Sequence, residues 1–319
     1  MIRLTSSILL GWGLGANDSA NIFGTAVASR VVPYTTAIVL SSIFILAGAL
    51  FQGQAGVETI STFSGQGQNI AFITSLSAAI AVIILTLLKL PISTSQAVVG
   101  AILGVQIFGS TFLDLPPVQY GELFTILICW LATPVGGLFF TLLFYHLLHT
   151  LFQKIQPDLC TSDLIVRYGL IIAGCYGAYA LGANNVANVT GVYTGEDNLL
   201  TPFTATLLGG ISIAVGVLTY SRHVMMTIGK NIIPLDAFSA LVTVLSHGAT
   251  IHVFAMIGVP VSSSQAIVGA VIGIGIIKNY ESIQYKTATK VFSGWIITPA
   301  IAFSTSFLIT FLSNLRLEV

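Results

Sequence analysis

Gly15-Ala16-Asn17-Asp18-Ser19-Ala20-Asn21 decides how this chain is read, because it returns as Gly182-Ala183-Asn184-Asn185-Val186-Ala187-Asn188, 167 residues downstream. Both copies lie inside long apolar runs. A carboxylate at the centre of a membrane helix costs roughly 2.5–3.5 kcal/mol on insertion scales, so Asp18 is expected to hold something polar. Two further motifs repeat in the same order. Pro91-Ile92-Ser93-Thr94-Ser95-Gln96-Ala97 returns as Pro260-Val261-Ser262-Ser263-Ser264-Gln265-Ala266, at an offset of 169 residues. Trp130-Leu131-Ala132-Thr133-Pro134 returns as Trp295-Ile296-Ile297-Thr298-Pro299, at 165. Three motifs at nearly one spacing mark an internal duplication.

Composition identifies the solvent. The chain is 55% hydrophobic and 7% charged, against about 25% charged for a soluble domain, and its mean hydropathy is +0.94. A water-soluble core of 319 residues could not bury so much apolar surface, so the expected fold is an all-α polytopic membrane protein. A transmembrane β-barrel would show short alternating segments instead of apolar runs near twenty residues. Cys129, Cys160 and Cys175 have no paired spacing and read as packing residues. Ala26-Val27-Ala28 imitates a signal-cleavage site, but Asn17, Asp18 and Asn21 interrupt the would-be apolar core of a leader. The mid-chain copy of the motif argues that this segment stays.

Hydrophobic segments fall at about 4–29, 34–51, 69–88, 91–108 and 121–151, then at about 164–193, 202–220, 235–257, 261–277 and 288–312. The stretch 52–68, rich in Gly, Gln and Ser, reads as a loop. The segment 121–151 is long for one crossing and contains Thr133-Pro134, so a kink or break is expected there. Residues 1–152 then form a first repeat, 153–163 a short cytoplasmic linker, and 164–319 a second repeat. Five elements per repeat is odd, so the second repeat enters the membrane from the opposite face, giving inverted topology. A re-entrant hairpin in place of the third and fourth crossings leaves the parity unchanged.

This scheme places Arg30, Lys89, Lys154, Arg167, Arg222, Lys230, Lys278, Lys286 and Lys290 on the linker face, with only Arg3 and Arg316 opposite. Nine against two is a strong positive-inside bias, so the linker is cytoplasmic and both termini lie outside, in the cell (inner) membrane. Glu58, Asp114, Glu196 and Asp197 lean to the outer face.

The motifs suggest what crosses. Hydroxyls follow Pro91 and Pro260, a helix-start signal that leaves backbone N–H groups free at a helix N-terminus. Such an end carries about half a positive charge and accepts oxyanions. Asp18, with the amides of Asn17, Asn21, Asn184, Asn185 and Asn188, instead suits a hard cation or a proton. A carboxylate beside an anion site repels the anion unless a cation sits between them, which is the physical case for coupled symport. Plainer roles compete. Hydroxyls in membrane helices also bond to backbone carbonyls or glue helices together, and Asp18 could be a structural buried acid. Gly100-x-x-x-Gly104 and Gly269-x-x-x-Gly273 read as close-packing surfaces. His247 and His252 read as packing residues, with a proton relay as the alternative. His146, His149 and His223 read as interfacial, and Lys89 and Arg222 as snorkelling side chains.

With these residues in view, the chain resembles the inorganic phosphate transporter family, whose members carry two GANDxAN-type motifs, each followed by a P-x-S-T-T-H-type motif. The resemblance covers nearly the whole chain and implies uptake of phosphate coupled to sodium or protons. By position it implies Asp18, Asn21, Asn185 and Asn188 as sodium candidates. It implies Ser93, Thr94, Ser95, Ser262, Ser263 and Ser264 as phosphate ligands, with the adjoining Gln96 and Gln265. Two departures stand out: Asn185 replaces an expected Asp, and Gln96 and Gln265 replace expected His. Sulfate permeases are relatives, so sulfate is the alternative substrate. The short linker suggests a prokaryotic protein. No resident cofactor is expected. The partners expected are the oxyanion and the bilayer, without nucleic acid, and the sequence permits a homodimer. A passive anion channel is a further alternative, whereas an intramembrane hydrolase lacks an H-E-x-x-H helix or a Ser–His pair.

Overall fold

The computed structural model describes residues 2–64, 67–88, 92–112, 117–194, 199–231, 235–278 and 285–315. Lys89, Pro91, Asp114, Glu196, Asp197 and Arg316 lie outside the described residues, as do the side chains of His223, Lys230, Lys286 and Lys290. The first half comprises α1 (Thr5–Asp18), α2 (Ala20–Ala28), α3 (Tyr34–Gln52), α4 (Gln54–Ser64), α5 (Gln68–Leu87), α6 (Thr94–Phe112) and α7 (Tyr120–Ile155). The second comprises α8 (Leu159–Thr190), α9 (Pro202–Asn231), α10 (Ala237–Ile257), α11 (Ser263–Lys278) and α12 (Tyr285–Leu315). Among the described residues there is no strand, and eight helices are long and apolar enough to cross a membrane.

Helix pairing follows the duplication. α1 packs on α9 and its counterpart α8 on α3; α6 packs on α12 and its counterpart α11 on α7. Each half therefore completes itself with helices of the other. The direction of the counterparts is equally informative. Arg30, just after α2, lines the same cleft as Cys160 and Arg167 near the start of α8. At the other end, Tyr193 beyond α8 donates its hydroxyl to the Arg3 carbonyl at 2.6 Å and lies 2.9 Å from Ser6 of α1. The α1–α2 unit and α8 thus run antiparallel.

The third and fourth segments of each half form helical hairpins. Asp236 caps α10, accepting from the Ser239 N–H at 2.9 Å, and pairs with Lys278 at the end of α11. Both ends of that hairpin therefore sit on the linker face. The α5–α6 hairpin opens the other way: Gln68 accepts from Arg3, and Gln106 of α6 donates to the Phe63 carbonyl at 2.9 Å. Length and apolarity alone would let α5, α6 and α10 each cross. Their shared bases and the meeting of their tips, described below, make them hairpins.

Two expectations need correction, and the two copies of the opening motif differ in one respect. Most of the stretch 52–68 is not a loop but forms α4, whose Gly56, Val57, Ile60 and Phe63 are buried at helical spacing against α8. α7 runs unbroken through Pro134, as α12 does through Pro299. In each, the preceding Thr gives its hydroxyl to a backbone carbonyl: Thr133 to Cys129 and Thr298 to Gly294, both at 2.6 Å. Such hydroxyls help a membrane helix tolerate the bond that Pro removes. Finally, the second copy of the opening motif lies within continuous α8, whereas the first is interrupted at Ser19. Ser19 keeps helical angles (φ −57°, ψ −26°), and α1 and α2 both pack along α9.

Close approach explains the glycines of the motifs. A Cβ at Gly15 would collide with the Ile213 carbonyl, and one at Gly182 with the Ile45 carbonyl. Gly100 and Gly269 stand in the same relation to Pro299 and Pro134, as the small-residue spacing anticipated. Gly182→Ala is expected to force helices apart and destabilise by about 1–3 kcal/mol, the usual range for overpacking. Gly121→Ala, with nothing within 4 Å of the added methyl, is expected to leave stability unchanged. Thermal unfolding of the two purified variants, followed by fluorescence-detected size exclusion, checks the difference.

Candidate functional site

The hairpin tips are built by capping. Ser93 precedes α6 and accepts from the Gln96 N–H at 3.3 Å; Ser262 precedes α11 and accepts from the Gln265 N–H at 3.3 Å. The Ser-x-x-Gln spacing sets each helix start, so Thr94 and Ser95, like Ser263 and Ser264, occupy the first turn. The two tips touch: Ser95 donates to the Val261 carbonyl at 2.9 Å.

The opening motifs meet these tips crosswise. Asn21 of α2 donates to Ser263 of the second-half tip at 3.1 Å. Asn188 of α8 donates to Ser95 of the first-half tip at 2.9 Å and also to the side-chain Oδ1 of Asn185 at 2.9 Å. Ser262 and Ser264 share a hydrogen bond of 2.9 Å. The sequence placed these residues 70 to 240 positions apart, and folding gathers them into one buried cluster. Asp18, Asn185 and Asn188 are at most 2% exposed, and Gln96 and Gln265 at most 4%.

Two of the amides are engaged structurally. Asn184 grips the backbone of Val261 from both sides, donating to its carbonyl at 2.9 Å and accepting from its N–H at 3.0 Å. Asn17 donates to Thr86 of α5 at 3.3 Å. The sequence grouped both with the cation candidates; in the fold Asn184 anchors a hairpin tip and Asn17 ties α1 to α5.

What remains is a set of buried polar atoms without a protein partner: Asp18 Oδ1, Thr94 Oγ1, Gln96 Oε1, Gln265 Oε1, Asn188 Oδ1 and Asn185 Nδ2. Leaving one such atom unsatisfied costs about 1–3 kcal/mol, and native folds rarely concentrate them without a ligand to receive them. Five of the six are oxygens, the donor type that hard cations take. The tips add helix N-termini and hydroxyls, which suit an oxyanion. The described residues thus carry donor sets for ligands of opposite charge, and Asp18 is the buried carboxylate among them.

His247, read from the sequence as a packing residue or a proton relay, stands at the second-half tip. His247 of α10 is fully buried, and its Nε2 lies 2.9 Å from Ser263 Oγ. His252, by contrast, bridges Gln52 and Tyr176 at 2.7 and 2.9 Å, a link among α3, α8 and α10 away from the hairpin tips. A separate cleft of about 570 Å³, lined by Arg30, Asp163 and Arg167, opens on the linker face.

This arrangement of paired hairpins and crosswise polar motifs defines a membrane transport protein. The model of the phosphate transporter family matches residues 14–163 and 153–306, and the chain belongs to that family. It is 29% identical over 308 residues to a protein of Methanocaldococcus jannaschii named "Putative phosphate permease", covering 97% of this chain and 96% of the other. It is 28% identical over 312 residues to the sulfate permease CysP of Bacillus subtilis, covering 95% and 85%. A solved structure titled "The sodium-dependent phosphate transporter" superposes with a TM-score of 0.83 at 20% identity, covering 99% of this chain and 100% of that one. That likeness shows the fold. The chain is a multi-pass membrane permease and not an enzyme.

Asn184→Ala would leave the Val261 N–H unpaired in a buried site and leave its carbonyl with Ser95 alone. Hydrogen–deuterium exchange across residues 258–264 is expected to rise about tenfold or more, since roughly 1.4 kcal/mol corresponds to a factor of ten. Exchange at the base of the same hairpin is expected to stay at its parent level.

Proposed function

We propose that this permease is a symporter that couples uptake of inorganic phosphate to a cation, sodium or proton, by alternating access of two inverted halves. The observation that carries this reading is the set of unpartnered buried oxygens on the opening motifs and the two capped hairpin tips, Asp18 Oδ1 among them, with Asn21 and Asn188 joining motifs to tips. Without a cation, Asp18 opposes an anion at the tips. At 4 Å and an effective dielectric of about 20, that repulsion is about 4 kcal/mol, enough to exclude the anion. A cation ligated by Asp18, Asn185, Asn188 and neighbouring oxygens reverses the sign of the local field. Ser93, Thr94, Ser95, Ser262, Ser263 and Ser264, with Gln96 and Gln265, then meet the anion. Cation and anion thus enter together or not at all.

The antiparallel course of α1–α2 and α8, with reciprocal pairing across the halves, supports inverted repeats at residues 1–152 and 164–319 joined by the linker. The linker face carries Arg30, Arg167, Arg222 and Lys278, which supports a cytoplasmic linker and external termini. The relative named as a sulfate permease favours sulfate as the second reading. Both anions are tetrahedral, and the tips offer no group restricted to one of them.

Proteoliposomes given labelled phosphate or sulfate under separate sodium and proton gradients test the proposal. Phosphate should accumulate above its equilibrium level only with the coupling gradient, whereas a channel would merely equilibrate it. Asp18→Asn is expected to abolish gradient-driven uptake while the protein remains folded in the membrane; normal driven uptake would remove Asp18 from the mechanism. Asn185→Asp restores a second central charge and is expected to change the number of cations per anion or the choice of anion. Reversal potentials and competition by sulfate measure both.

A further inference from the structure

We infer that His247 is a positioning residue of the anion site, holding Ser263 as an obligate hydrogen-bond donor toward an acceptor-only face of the bound oxyanion. This rests on the symport reading above and extends it to a residue that no motif marks. A serine hydroxyl offers one donor and two acceptor positions. Asn21 Nδ2 donates into Ser263 Oγ at 3.1 Å, filling one acceptor position. His247 Nε2 approaches the same oxygen at 2.9 Å, and its protonation there decides what the hydroxyl hydrogen can do.

The other ring nitrogen settles the tautomer. His247 Nδ1 is buried without any partner, and the backbone of Gly177 lies beside it, so that a methyl on Gly177 would come within 4.0 Å. Were the proton on Nδ1, a buried N–H would have no acceptor, one of the rarest states in folded proteins. With the proton on Nε2, only a lone pair is left bare. An imidazolium would carry the same orphaned N–H. His247 is therefore the neutral Nε2–H tautomer and donates to Ser263.

Two donors now occupy Ser263 Oγ, and its own hydrogen must point elsewhere. Ser262 and Ser264 bond each other, which leaves an incoming acceptor as the partner for Ser263. An oxyanion oxygen without a proton, an acceptor only, meets this need most strongly. His247 thus sets which face of the anion can dock.

Nuclear magnetic resonance of the ¹⁵N-histidine-labelled full chain in nanodiscs tests the tautomer without any substrate. The chain has five histidines, and loss of one signal in His247→Gln assigns the residue. A protonated Nε2 with bare Nδ1 is expected; a proton on Nδ1 overturns the proposal. Transport supplies the second arm. Ser263→Ala and His247→Leu are each expected to raise the KM for labelled phosphate about tenfold with the maximal rate little changed. The double variant should lose no more than either alone. His247→Gln, whose amide N–H can reach the same oxygen, should keep a KM near that of the parent. Multiplying effects, about a hundredfold in the double variant, or an unchanged KM in His247→Leu, would reject the inference. Should the parent carry sulfate and not phosphate, the substrate reading fails, and the same KM comparison run with sulfate still decides the role of His247.

Discussion

The contact on which the rest depends is the grip of α8 on the hairpin tip of its own half, where the tip of the other half also docks. Asn184 pairs with both backbone groups of Val261, and Ser95 reaches the same carbonyl from the other tip. A hairpin tip exposes backbone groups that no helix satisfies, and in a dry interior each demands a partner. Asn184 supplies them from within the second half, and Ser95 of the first half joins at the same carbonyl, fixing the two halves to each other at one depth. Once that register is set, Asn188 falls beside Ser95 and Asn21 beside Ser263. Asp18 is carried into the same buried neighbourhood.

That register also explains a division of labour within the duplicated motif. The first Asn of each copy serves architecture: Asn17 holds Thr86 and Asn184 holds Val261. The residues one and four positions later are three apart and share a helix face, and in the proposed mechanism it is they that meet the ligand. Divergence between copies has fallen where charge matters, at Asp18 and Asn185, and the structural residue is Asn in both. A single central carboxylate is less costly to bury than two. Two like charges brought together in a dry site would each raise the cost of ionising the other.

Much of this was legible in the sequence. The duplication, the membrane class and the helix starts at Ser93 and Ser262 followed from spacing and from the chemistry of Pro, Ser and Gln. The depth of agreement has limits with clear causes. The helical character of α4 was masked by its Gly, Gln and Ser content; its buried stripe of Gly56, Val57, Ile60 and Phe63 contains too few large apolar residues to outweigh them. The continuity of α7 and α12 depended on tertiary support that composition does not reveal. The separate duties of Asn184 and Asn185 could not be read from identical side chains in adjacent positions, because only the partner across the bundle distinguishes them. His247 stayed hidden for the same reason: its significance lies in what Ser263 lacks without it.

The glycine contacts have a mechanical corollary. Where Gly15 meets the Ile213 carbonyl and Gly182 the Ile45 carbonyl, main chain rests directly on main chain, with no side chain between to repack. Helices seated this way cannot roll about their own axes without collision. The pairs α1 with α9, α3 with α8, α6 with α12 and α7 with α11 are therefore stiff girders. Any shape change must be taken up at the seams between girders, such as that where α1 faces α5 across Ser6 and Ser75. Those seams are held by hydroxyls and small side chains, which can exchange partners at little cost in energy.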